Sequence, residues 1–325
     1  MIKALARPGV FSCTLKPFYL CKLVRHCNSL QASSIIIAPL EHRQILRISG
    51  KDSIDLLQGL LTNDVTKLND KQCMFSMMLN TQGRVEHDFL LYKEVGEDAD
   101  SVSVLLECEH TMAERVAQLL KRYKLRKKVS IDDKTDLKVW QAMSKEPPED
   151  AMKLVSNTFI NGMCFADPRA HVLGCRIVAK TLAVPSDWVG VADDYHQLRY
   201  EVGVPEGEKD LPLGKCLPLE SNLDYLNGVS FDKGCYLGQE LTARTYHTGV
   251  TRKRLVPISF SASHQLKPGD KLISQDGEIA GRLRSLHACH GLALLKLKYL
   301  SQILYHPSDC HLHITPKTPS WWHVD

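Results

Sequence analysis

From His42 to Gly50 apolar and polar positions alternate, with Ile45, Arg47 and Ser49 set against Leu46, Ile48 and Gly50; this predicts a strand ending at a turn. Lys51–Leu61 follows with Ile54, Leu57, Gln58 and Leu61 at helical spacing, and Asp52 or Ser53 in the first turn suits the helix dipole. Two apolar stretches, 74–80 and 85–94, flank the turn Thr81-Gln-Gly-Arg84 and predict a hairpin. Residues 102–109 read as another strand, and Thr111–Tyr123 as an amphipathic helix with Met112, Val116, Leu119 and Leu120 inward. Strands are predicted over 127–133 and 136–143, a polar proline-bearing loop over 144–151, strands over 157–164 and 173–180, and a helix near 190–201. From residue 253 onward short strands broken by glycine predict a small antiparallel barrel or sandwich. The pattern is that of a mixed α+β body followed by an all-β module.

The 325 residues give room for two or three domains, and 44% hydrophobic with 24% charged residues exclude global disorder. No stretch approaches the roughly 20 apolar residues of a membrane-spanning helix. Residues 1–40 carry Lys3, Arg7, Lys16, Lys22 and Arg25 and no acid; without these five cations, 36 Lys and Arg face 37 Asp and Glu. The remaining body is near neutral and gives no reason to expect nucleic acid as a partner. A basic, serine-containing, acid-free leader reads as a mitochondrial transit peptide over about residues 1–35, with the matrix as destination. Lys16, Lys22 and Arg25 break up the apolar core that a secretory signal needs.

Eleven cysteines, none in a CxxC pair, read as mostly free thiols in a matrix protein. Cys73, Cys108, Cys164 and Cys175 lie in apolar runs and are expected in the core. His287-Ala-Cys289-His290 and Cys310-His-Leu-His313 are the other notable group. Period-two spacing puts His287 and Cys289 on one strand face, a candidate metal edge; the alternative is an ordinary strand and a loose tail.

The most unusual segment is Phe231-Asp-Lys233-Gly234-Cys235-Tyr236-Leu-Gly238-Gln239-Glu240. Glycines on both sides of Cys235 let the backbone bend and a ligand approach. Lys233 and Arg244 are cations near in sequence, which favours thiolate, the species that binds soft metals or attacks carbon. Gln239 and Glu240 add hydrogen-bonding and acidic groups. On these residues alone, a reactive or metal-binding thiol and a turn with an incidental cysteine both stand.

Lys233-Gly-Cys-Tyr-Leu-Gly-Gln-Glu240 resembles the signature of the YgfZ-type proteins, relatives of the folate-dependent glycine cleavage T-protein (aminomethyltransferase). Further blocks resemble the same family: Leu46–Ser53, Leu57-Gln58, Leu61–Val65, Asn80–Arg84 with Asp88, Leu198–Gly203, Pro218–Glu220 with Leu223, and Gly277, Gly281 and Gly291–Leu294. The resemblance spans about residues 41–300. It implies a three-part ring of class α+β: two interleaved α+β subdomains over 36–249, discontinuous in sequence, and a C-terminal antiparallel β-barrel over 250–325. It implies a mitochondrial assembly factor for [4Fe–4S] proteins that acts with A-type carriers, Cys235 being ligand to a transient [2Fe–2S] cluster shared with the partner. The implied folate pocket, for tetrahydrofolate, holds Glu201 against the pterin edge, with Asp88, Arg84 and Arg199 nearby. The alternative is a folate-dependent aminomethyl or one-carbon transferase, which is weakened by His87-Asp88 standing where the T-protein typically has two acids.

Overall fold

Strands β2 (Arg43–Ser49), β3 (Cys73–Leu79), β4 (Val85–Glu94), β5 (Ser103–Glu109) and β6 (Ser130–Asp132) form an antiparallel sheet in the order β3-β4-β5-β2-β6. The computed structural model describes residues 35–94, 103–133, 135–144, 153, 155, 162–261 and 265–322. Residues 1–34 of the leader, residues 145–151 of the proline-bearing loop and the first part of the strand expected over 157–164 lie outside these residues.

Helices α1 (Ser53–Leu60) and α2 (Ala113–Tyr123) cover one face of this sheet. Eight residues are too few for a helix stable by itself. Packing holds α1: Leu56, Leu57 and Leu60 are buried against Leu46, Phe89 and Leu106, each contributing about 1.5–3 kcal/mol. On α2 the inward stripe is Ala113, Val116, Ala117 and Leu120, with Met112 and Leu119 half-buried. The opposite face gives Phe75, Met77, Leu90, Tyr92 and Leu105 to a second core. With both faces covered, β3 is buried at every position, so its apolar run does not alternate.

A second antiparallel sheet, in the order β1-β7-β9-β8, is built from β1 (Ile35–Pro39), β7 (Lys138–Ser144), β8 (Gly162–Ala166) and β9 (Cys175–Ala179). Its Ala38, Val139 and Val178 share the core with the first sheet. Sequence patterning did not reveal β1: Ile35, assigned to the end of the leader, starts a strand that pairs with β7 from Ile35–Ser144 to Pro39–Trp140. Helix α3 (Ala192–Val202) buries Tyr195, Arg199 and Tyr200.

Helix α4 (Gln239–Thr248) leads into a closed six-stranded barrel of order β10-β13-β12-β11-β14-β15. These are β10 (Lys253–Phe260), β11 (Lys271–Ile273), β12 (Ile279–His287), β13 (His290–Lys296), β14 (Leu304–His306) and β15 (Asp309–Pro316). Two expectations are corrected here. Cys289 is not on a strand with His287: β12 ends at His287, and the chain turns through Ala288, at φ 49°, and Cys289. Cys310–His313 is not a loose tail, because Leu312 and Ile314 point into the barrel and β15 closes it against β10. The alternation that buries these two exposes His311 and His313, and Cys310 is exposed at the start of the strand.

Candidate functional site

The segment 230–238 lies across the C-terminal end of α1. Ser230 N donates to Thr62 O at 3.1 Å and Leu237 N to Gly59 O at 3.0 Å. Lys233 is buried beneath it and spends all three ammonium protons on carbonyls, donating to Gln58 O at 2.8 Å and to Leu61 O and Asn63 O at 2.7 Å. Gln58 O and Leu61 O are carbonyls that the end of a short helix leaves unpaired, and Asn63 O lies in the turn that follows. Burial pushes the ammonium's pKa down to about 8. Lys233 is therefore a brace under the loop and has no donor left for the neighbouring thiol. Tyr236 is buried over it, with Lys233 Nζ 5.1 Å from the ring centroid, and burial pushes its hydroxyl up to about 12. Between these two anchors, Gly234 and Cys235 face solvent, and Cys235 is a free thiol.

The two glycines differ. A Cβ on Gly234 would meet nothing within 4 Å. Gly238, at φ 76°, starts α4 where a Cβ would lie 2.3 Å from Asn80 O and 2.9 Å from Leu79 Cβ. The turn it abuts is built by Asn80, whose Oδ1 accepts from Gln82 N and Arg84 N, both at 3.0 Å. Two blocks far apart in the sequence thus meet at Gly238 and the 80–84 turn. Gln239 opens α4, and Glu240 stands exposed in its first turn, where a carboxylate suits the helix dipole.

Beside α4 runs a groove of about 220 Å³ lined by Leu217, Leu219, Leu241, Thr242, Thr245 and Val250, with Glu220, Arg252 and Lys253 also on its wall. Phe231 stacks on Tyr246 with ring centroids 3.5 Å apart, and Tyr246 remains half exposed. Arg244 is exposed on the same helix.

The four residues associated with folate have different settings. Glu201 is exposed on the last turn of α3. Asp88 is buried, paired with Arg43 at 3.4 Å and accepting from Gly207 N at 3.1 Å. Arg199 is buried, paired with Asp210 and donating to Val204 O at 2.9 Å. Arg84 donates to Lys215 O at 3.0 Å. The cavity beside Asp88 has a volume of about 10 Å³, room for one water and not for a pterin ring. His87 faces it, with Nε2 buried and unpaired, and burial together with Arg115 pushes its pKa down to about 4. The cavity beside Asp88 does not fit a tetrahydrofolate in this conformation.

Between the two sheets lies a charge network that sequence reasoning missed. Glu206 accepts from Arg169 at 2.6 Å, Arg176 at 3.0 Å and Tyr195 at 2.6 Å. Arg43 reaches Glu107 at 2.8 Å, and Asp167 holds Arg169 through two contacts of 2.9 and 2.7 Å. Burial alone would raise the Glu206 carboxyl, but the Arg43, Arg169 and Arg176 guanidiniums hold it well below the usual range. All of these side chains are buried, so the network joins the sheets and offers no group to a partner. One available signal was a charge inside an apolar strand, as with Glu107 in Val104–Cys108 and Arg176 in Cys175–Ala179. Near the barrel, Cys289 Sγ lies 3.4 Å from His290 Nδ1, and His287 Nε2 lies 3.4 Å from Asp193. Among the described residues no group of three or more His, Cys, Asp or Glu side chains is placed to hold a metal ion.

Comparison with known proteins bears on this arrangement. The family model described as the CAF17 C-terminal beta-barrel domain matches residues 252–324, and that of the GCVT N-terminal domain matches residues 22–143. The Homo sapiens protein named iron-sulfur cluster assembly factor IBA57, mitochondrial, is 35% identical over 300 residues, covering 87% of this chain and 84% of that protein. Its Mus musculus counterpart is 36% identical over 301 residues, with the same 87% and 84% coverage. The structure is similar to that of the glycine cleavage system aminomethyltransferase T from Bartonella henselae, with TM-score 0.69 over 89% of this chain and 87% of that one. At 12% identity this is a likeness of fold.

Proposed function

The chain belongs to the IBA57 family of mitochondrial iron–sulfur cluster assembly factors, and from that premise we propose that it acts in the mitochondrial matrix in the maturation of [4Fe–4S] proteins, sharing a [2Fe–2S] cluster through Cys235 with an A-type carrier. The observation that carries this is the setting of Cys235, an exposed thiol held up between two buried anchors, Lys233 and Tyr236. The cluster is cargo. A [2Fe–2S] centre needs about four ligands, most often thiolates. Cys235 supplies one, and a cysteine-bearing partner supplies the rest. On transfer the thiol loses its proton to solvent, its sulfur bonds iron, and one earlier ligand leaves that iron.

Lys233 and Gly238 support this role from below. The brace fixes the loop on α1, and the glycine lets α4 start against the 80–84 turn, so the thiol faces outward at little cost in loop ordering.

The test mixes purified protein with an A-type carrier bearing a [2Fe–2S] cluster. Wild type is expected to form a heterocomplex with an altered visible spectrum, and Cys235→Ser, equally folded by circular dichroism, to form none. In cells depleted of the protein, [4Fe–4S] enzymes are expected to lose activity while [2Fe–2S] enzymes keep it. A serine variant that gives the same spectrum and restores the [4Fe–4S] enzymes removes Cys235 from the mechanism.

A further inference from the structure

A partner joined at one sulfur–iron bond must also cover protein surface, because a specific pair buries about 800 Å² on each side. The 231–238 loop alone offers a fraction of that. What adjoins it is α4, with Leu241 37%, Tyr246 52% and Val250 77% exposed. Val250 and Leu241 line the 220 Å³ groove, and the Phe231–Tyr246 stack stands on the same helix. Large apolar side chains at such exposure, concentrated on one helix and its exit, mark an interaction surface. Three cations, Arg244, Arg252 and Lys253, stand exposed beside them, with Glu240 at the start of α4 and Glu220 on the groove wall as the acidic groups.

We propose that this face is the dock for the protein that co-ligates the cluster, and that the segment seated in the groove is apolar and flanked by carboxylates. The inference rests on the shared-cluster role of Cys235. An apolar side chain entering beside Val250 and Leu241 displaces poorly held water. Carboxylates beside it meet Arg244, Arg252 and Lys253, which steers approach and fixes orientation. Because α4 begins just after the thiol, this face adjoins the Cys235 loop.

The test titrates the full chain with an A-type carrier in its apo form, followed by calorimetry, so that no cluster takes part. Val250→Asp and Arg252→Glu are each expected to weaken binding at least tenfold. Leu125→Asp, at a side chain 84% exposed outside this face, is expected to bind as wild type does. Unchanged affinity in both groove variants overturns the dock, as does an absence of binding by wild type. A dimer of this chain that Val250→Asp abolishes assigns the face to a second copy and also overturns it. The role of Cys235 is read separately with the loaded carrier: if Cys235→Ser leaves the spectrum unchanged while the groove variants still lose apo binding, the dock stands and the ligand role falls.

Discussion

Replacing Lys233 by methionine keeps a stem of similar length and removes the ammonium that holds three carbonyls at 2.7–2.8 Å. Leu61 O is buried and Gln58 O and Asn63 O are half-buried; at roughly 2 kcal/mol for each carbonyl left unpaired, the gross loss is at most about 6 kcal/mol. Against this, the variant no longer buries a charge. A fall in pKa from 10.5 to about 8 corresponds to about 3 kcal/mol of burial cost. The net destabilisation is therefore at most about 3 kcal/mol near neutral pH, or roughly 6–10 °C in Tm. The pH dependence carries a sign. Between pH 8 and 10.5 the unfolded lysine holds a proton that the folded one has released, so wild-type stability rises with pH in that window. The gap between wild type and Lys233→Met is expected to widen by about 2 kcal/mol from pH 7.5 to 9.5. Urea unfolding at the two pH values measures it. A variant within about 0.5 kcal/mol of wild type refutes the brace, and a gap that narrows with pH refutes the lowered pKa.

Gly238→Ala, which puts a Cβ 2.3 Å from Asn80 O at positive φ, is expected to lower Tm by several degrees, whereas Gly234→Ala, with open space around it, leaves Tm unchanged; equal effects by differential scanning fluorimetry would refute the distinction. His87 has a folded pKa of about 4 against 6.5 unfolded, so its contribution is present above pH 6.5 and is lost as pH falls towards 4. His87→Phe is expected to keep up to about 3 kcal/mol that wild type loses over that interval, and equal acid sensitivity in urea unfolding would assign the loss to other groups. Millimolar tetrahydrofolate is expected to leave Tm unchanged in wild type and Glu201→Ala alike; a shift that Glu201→Ala removes would restore Glu201 as a pterin ligand.

The elements that sequence patterning found are those whose burial is local. The α2 stripe, the β3–β4 hairpin and the glycine-broken barrel strands follow from spacing within about ten residues. Charged residues were harder, because a sequence gives a charge without its partner. Glu201 and Glu206 lie on one short stretch, yet one is exposed and the other is enclosed by Arg169 and Arg176 from more than 25 residues away. Lys233 was legible as a cation beside Cys235; its true partners are carbonyls some 170 positions upstream. Cys235 itself was located by its motif, since nothing in periodicity separates an exposed turn cysteine from a buried one. The groove beside α4 escaped notice because its walls come from 217–220 as well as 241–253.

Strand β1 carries a consequence for the order of assembly. The first sheet uses residues 43–132 alone and can close as those residues emerge from a ribosome or an import pore, N-terminus first. β1 emerges before any of them, yet its partner β7 begins at Lys138 and β9, which backs β7, at Cys175. For roughly a hundred residues of chain the segment Ile35-Ile-Ile-Ala-Pro39 must wait unpaired, a short β-prone stretch with no charge of its own. The first described strand to emerge is thus seated only after five later ones, and the interval before β7 arrives is when the nascent protein most needs a chaperone to hold it.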